Sequence, residues 1–174
     1  MKKIVLTGGP GIGKTTLIEL LASKGYLIVP EASRLVVEDE EARGGDARPW
    51  NNPSKFQKLV AEKQIDLELQ AEKTESDLCF LDRGLIDGYG YCKIAGIPAP
   101  ELVQRHGKGR YSHIFFLEPL PVYDNDAVRY ESKEQGKKIH NAISEAYREY
   151  GYEPIFVPVL PPEERMKFVL DRMK

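Results

Sequence analysis

The sequence predicts an α/β protein of three layers, with helices on both faces of a parallel sheet. Two observations carry this prediction. Five short apolar runs alternate with segments of helical spacing. Those runs are near-continuous, as in Leu78-Cys79-Phe80-Leu81, which marks strands covered on both sides. Strands separated by helices require right-handed crossovers, and these bring the strands parallel.

Lys3 to Thr7 is a β-branched and aliphatic run that ends in glycines, and Leu17, Ile18, Leu20 and Leu21 then switch to helical spacing. Lys24-Gly25 stops that helix, and Tyr26 to Val29 reads as the second strand. Glu31 to Arg43 is an acidic helical segment broken by Gly44-Gly45-Asp46. Asn52-Pro53 opens a long helix to about Lys73, with Phe56, Leu59, Val60, Ile65, Leu67 and Leu69 as its apolar face. Leu78 to Leu81 is the third strand, ending in Asp82-Arg83. Gly84 to Ala95 reads as a helix interrupted by glycines, and Pro98 to His106 as a short one. His113 to Leu117 is the fourth strand, and the polar stretch from Glu118 to Tyr130 fits neither period. Ser132 with Gln135 forms a capping box that opens a helix to Tyr150. Pro154 to Val159 is the fifth strand, and Pro161-Pro162 introduces a last helix through Phe168, Val169 and Met173.

At 174 residues the expectation is one domain over residues 1–174. With 41% hydrophobic and 30% charged residues, the chain has the balance of a folded globular protein. Its net charge of -2 leaves no basic field for holding a phosphate backbone, so nucleic acid is not the expected partner. No apolar stretch approaches the roughly 20 residues of a spanning helix, and a membrane partner is not expected either. Lys2-Lys3 followed by Ile4-Val5-Leu6 is too short an apolar run for a secretory leader. Cys79 and Cys92 stand alone, which suits packing residues in a reducing cytoplasm. Nothing in the composition chooses between monomer and homodimer.

Gly8-Gly9-Pro10-Gly11-Ile12-Gly13-Lys14-Thr15 matches G-x-x-x-x-G-K-[ST], and it lies between a strand and a helix, the context this pattern requires. Glycines let successive backbone N–H groups turn inward, and the helix N-terminus adds about half a positive charge at the same point. This stretch, with Thr16, is the expected triphosphate cradle. Lys14 would reach the β- and γ-phosphates, and the Thr15 hydroxyl would ligate Mg2+.

Asp82 ends an apolar strand, where a carboxylate can hold that Mg2+ directly or through water. Arg83 follows it in place of a second acid, which favours charge stabilisation on a transferring phosphoryl group over activation of a hydrolytic water. The competing explanation is a strand-end ion pair. Glu31 closes the second strand and competes with Asp82 for the role of general base, or serves as a helix-start acid. Arg129 is placed to swing over bound phosphates from a lid at about residues 118–133, or to pair with Asp126 or Glu131 in solvent. Arg105, His106, Lys108 and Arg110 form a small basic cluster that reads best as a solvated loop. Trp50, Phe56 and Gln57 lie on the segment expected to cover an acceptor pocket, although core packing explains Phe56 equally well.

The stretches IVLTGGPGIGKTTLIELL, VPEASR, FLDRGLIDGYGY, HIFFLEPLPVYDNDAVRYES and EAYREYGYEPIFVPVLPPEER resemble the nucleoside and nucleotide kinase group of phosphate-loop proteins. They are most similar to the AAA-type, ATP-binding family that includes the nicotinamide riboside kinase domain of a bifunctional NAD-biosynthesis regulator. The resemblance implies a five-stranded sheet in the order 2-3-1-4-5, a lid near Arg129, and ATP with Mg2+. It also places a base on Glu31, an acidic-Arg pair on Asp82 and Arg83, and a weaker base-reading match on Phe56-Gln57. The expectation is a cytoplasmic ATP- and Mg2+-dependent kinase of a small hydroxylated molecule, a nucleoside, nucleotide or related metabolite. The alternative is a nucleotide-binding regulatory module that has no small-molecule acceptor.

Overall fold

A computed structural model describes residues 1–119 and 133–173. Strands β1 (Lys2–Thr7), β2 (Leu27–Val29), β3 (Leu78–Asp82), β4 (His113–Leu117) and β5 (Ile155–Val157) form one sheet in the order β2-β3-β1-β4-β5. Every described pairing is parallel. The helices are α1 (Lys14–Ser23), α2 (Ala32–Ala42), α3 (Pro53–Glu72), α4 (Asp87–Ala95), α5 (Glu101–His106), α6 (Lys133–Glu149) and α7 (Pro162–Asp171). The order is the one the resemblance implies. None of these helices is long and apolar enough to cross a membrane.

Alternation of side chains along the strands divides the core into two layers. Val5, Cys79, Leu81, Ile114 and Phe116 face one cluster, which also takes Ile86, Ile139, Ile143 and Tyr147. Ile4, Leu6, Phe80, Phe115 and Leu117 face the other, with Leu17, Leu21 and Val169. Continuous apolar runs are therefore required, because both faces of each inner strand are covered. Cys79 and Cys92 are buried free thiols, and burial pushes both up to about 11. They are packing residues and not reactive ones.

Two segments differ from the sequence expectation. Helix α4 starts only at Asp87, after a turn through Gly84, Leu85 and Ile86. Its glycines do not interrupt it. A Cβ on Gly90 would lie 2.8 Å from the Ile143 Cα of α6, so this glycine permits close helix packing. In α3 the buried stripe is Phe56, Gln57, Ala61, Gln64, Glu68 and Ala71, whereas Leu69 is 49% exposed. Glu68 is buried because Lys3 Nζ (3.0 Å), Arg110 Nε (2.7 Å), Tyr111 OH (2.9 Å) and Gln64 Nε2 (3.0 Å) all converge on its carboxylate. The capping residue expected at Ser132, and most of the polar stretch before it, lie outside the described residues.

The strand register pairs Leu6 with Asp82, Thr7 with Phe116, Val29 with Leu81 and Leu117 with Val157. The carboxyl ends of the strands therefore align along one edge of the sheet, where open α/β sheets place their ligands.

Candidate active site

Three chain segments that leave adjacent strands bring Lys14, Glu31, Asp82 and Arg83 to this edge. Helix α1 begins with Gly13 at its N-cap, at a φ of +84° that only glycine adopts without strain, and no side chain caps it. The first N–H groups of the helix, unpaired by the helix itself, open toward the cradle where an anion is the natural partner. Thr15 and Thr16 are exposed in the first turn of α1. Lys14 is buried and folds back, its Nζ donating to the Gly9 carbonyl at 2.8 Å. Burial, and then the Arg83 guanidinium, pull this lysine down to about 7.

Arg83 is the hub of the site. Its Nε donates to Glu31 Oε1 (3.1 Å), and its Nη1 donates to the Gly8 carbonyl (3.0 Å) and to Asp87 Oδ1 (3.1 Å). Its backbone φ is +70°, an uncommon conformation for a residue with a side chain, and its N–H donates to the Leu6 carbonyl at 3.1 Å. The alternative of a strand-end ion pair is thus realised, with Glu31 and Asp87 as the partners, and the guanidinium still lies beside the cradle through Gly8.

The two candidate carboxylates stand in different environments. Glu31 occupies the N-cap position of α2, yet its side chain makes no cap bond to that helix. Its Oε1 instead accepts from Ser33 Oγ (2.5 Å) and Arg83. Burial alone would raise its pKa, but Arg83, Ser33 and Lys14 together hold it below the usual carboxylate range. Asp82 is pushed upward, first by burial and then by the charge on Glu31. Its buried Oδ1 has no hydrogen-bond partner. A buried carboxylate oxygen left open beside a glycine-rich loop fits a hard divalent cation. Among the described residues no group of three or more His, Cys, Asp or Glu side chains is gathered to hold a metal.

Arg129 lies outside the described residues. Arg105 pairs with Glu101 and Arg110 with Glu68, both beyond the amino end of β4 and away from this edge. Trp50 is 70% exposed, and Phe56 is in the core. Gln57 is buried with an unpartnered Oε1, and a Cβ on Gly88 would lie 3.0 Å from that oxygen. Of that trio, Gln57 is thus the residue with an open polar atom near α4.

A family model described as "AAA domain" matches residues 3–165. The chain belongs to this AAA family. A comparison with curated proteins finds no match. Among solved structures, this AAA chain is similar to NadR protein in complex with NR, at 19% identity and a TM-score of 0.68 over 99% of this chain and 48% of that one. NadR protein in complex with NAD and AMP-PNP gives 20% identity and a TM-score of 0.69 over 99% and 48%. Deoxyadenosine kinase from M. mycoides with bound dATP gives 16% identity and a TM-score of 0.53 over 99% of both chains. The AAA chain thus spans about half the length of the NadR chains, at 48%. Identities this low establish the fold, which is that of the phosphate-loop nucleotide-binding proteins.

The structure of this AAA domain also adds residues that sequence reasoning missed. Asp87 is buried and accepts from Thr7 Oγ1 (2.5 Å), Gly84 N (2.9 Å) and Tyr147 OH (2.6 Å) besides Arg83. His140 of α6 accepts from the Gly9 N–H at 3.1 Å. Arg165 of α7 donates to the carbonyls of Ile12 (2.7 Å), Glu118 (3.0 Å) and Pro158 (3.1 Å), tying the cradle to two neighbouring loops. An acid four residues after Arg83 was the one local hint of Asp87, and it does not reveal the bonds to Thr7 or Tyr147. Nothing local to positions 140 or 165 announces their partners.

Proposed function

We propose that this chain transfers the terminal phosphoryl group of ATP to a hydroxyl of a small nucleoside-like acceptor. The observation that carries this reading is the assembly of Lys14, Glu31, Asp82 and Arg83 around a glycine-capped helix start. One of the fold relatives, deoxyadenosine kinase, points the same way.

Residues Gly8 to Thr16 would hold the triphosphate through the N–H groups at the start of α1. Lys14 would leave the Gly9 carbonyl for the β- and γ-phosphates, gaining a full positive charge against anionic oxygens. Thr15 and Asp82 would hold Mg2+, which when bound neutralises phosphate charge. Arg83, already charged and fixed by Glu31, Gly8 and Asp87, would face the charge that develops on the transferred group without reorganising. Glu31, anionic and held in place by Ser33 and Arg83, would accept the proton of the acceptor hydroxyl; Asp82 is the competing base. Arg129, from a lid at about residues 118–133 of a single domain, would close over the phosphates. An enzyme drawing on ATP in this way fits the cytoplasm, and no reading of a nucleic-acid or membrane partner is needed.

The test is release of ADP from MgATP, measured against a panel of nucleosides, deoxynucleosides, nucleotides and nicotinamide riboside. The proposal expects one acceptor class to stimulate release well above the rate without acceptor, and Lys14→Ala to abolish the stimulation. Tight nucleotide binding with no stimulation by any member would favour the regulatory module instead.

A further inference from the structure

We propose that His140 is a positioning residue of the phosphate loop, and that its Nδ1 couples α6 to the grip on the nucleotide by holding the Gly9 N–H. The proposal deepens the ATP-binding reading and rests on it.

The argument begins with Gly9. Its N–H is buried and needs an acceptor, and the nearest element supplies one across 131 residues of sequence: His140 Nδ1 at 3.1 Å. An accepting Nδ1 places the imidazole proton on Nε2, so this contact selects the neutral ring in one tautomer. The ring is also fixed in space. It meets Phe116 edge-on at a centroid distance of 4.5 Å. Loop and helix are in close contact as well: a Cβ on Gly9 would lie 3.1 Å from His140 Cβ and 3.2 Å from the Gly136 carbonyl.

The opposite end of Gly9 is held differently, since its carbonyl accepts from Lys14 Nζ at 2.8 Å. When Lys14 turns to phosphate, that bond is given up. The His140 bond then remains to keep Gly9 in register. A shift of α6, which directly follows residues 120–132, would act on the loop through the same bond.

Loss of the acceptor by protonation has the same effect, and the surroundings oppose it. Lys14 of α1 is the cation that reaches the ring; β4 presents Phe116, the loop presents backbone, and Lys137 stands three residues earlier on α6. Burial first, and Lys14 next, hold His140 below the ordinary value of 6.5. The bond therefore persists at neutral pH and is lost as the pH falls below that value, when a cation would also face Lys14.

The experiment uses the full chain labelled with 15N-glycine, together with His140→Phe, which keeps an aromatic ring without the acceptor, and His140→Asn, whose amide oxygen can reach the Nδ1 position. Without nucleotide, the Gly9 amide resonance should show a titration step with a midpoint below 6.5 in the wild type, and both variants should lose that step while keeping any step from Lys14 near 7. The Kd of a fluorescent ATP analogue at pH 7.5 should weaken about tenfold in His140→Phe and be largely restored in His140→Asn, the size of one lost hydrogen bond. Acidification to pH 5.5 should weaken the wild type further than His140→Asn. A Gly9 amide whose pH response is the same in the wild type and His140→Phe, or His140→Phe binding like the wild type across the pH range, overturns the proposal. If the wild type binds no nucleotide while Gly9 still titrates with His140, the ATP reading falls and the positioning of the loop stands.

Discussion

At the scale of single residues, the site is governed by unequal pKa displacement. Burial draws Lys14 down to about 7 while its Nζ donates to the Gly9 carbonyl, so near pH 8 most of it is neutral. A bound triphosphate would raise it again, so binding should take up most of a proton at pH 8 and much less at pH 6. Calorimetric titration with MgATP in buffers of different ionisation enthalpy measures this uptake. It should vanish in Lys14→Met, and an absence of buffer dependence in the wild type would contradict the account. The carboxylates diverge in the same manner, with Glu31 held low by Arg83 and Ser33 and Asp82 raised by burial. Glu31→Gln should keep ATP affinity and lose transfer by about 10² or more, read from single-turnover rates. Unimpaired transfer would assign the proton to Asp82, and the acid limb of the rate profile would then lie at higher pH.

At the scale of elements, what could be read from sequence follows the range of the interactions. The cradle from Gly8 to Thr15 was legible because its residues are contiguous and its helix begins within it. The ends of β3 and β4 were legible because buried strands leave continuous apolar runs. The buried face of α3 was not, since Gln64 and Glu68 turn inward to meet Lys3, Arg110 and Tyr111, partners that helical periodicity cannot reveal. Asp87 and His140 escaped for the same reason: their bonds to Thr7 and Gly9 span 80 and 131 residues. Removing the acid from the α3 network should be costly, because buried Lys3 and half-buried Arg110 would lose a partner. Glu68→Ala is expected to destabilise the fold by about 3 kcal/mol, slightly less than a wholly isolated pair because Lys3 also reaches Glu72 at 2.6 Å. Denaturant unfolding checks this, and a loss under about 1 kcal/mol would show that the network contributes little.

At the scale of the whole molecule, five parallel strands in register deliver the ends of β1, β2 and β3 to one edge, and Lys14, Glu31, Asp82 and Arg83 issue from those ends. The fold supplies position, and the residues at the edge supply charge and an acceptor for a proton. The most direct measurement is 31P NMR of the wild-type protein with MgATP and the acceptor that most stimulates ADP release. The account predicts a new phosphomonoester or phosphoanhydride resonance on that acceptor, growing in step with ADP and absent with Lys14→Ala. Only ADP and inorganic phosphate, with every acceptor recovered unchanged, would contradict it.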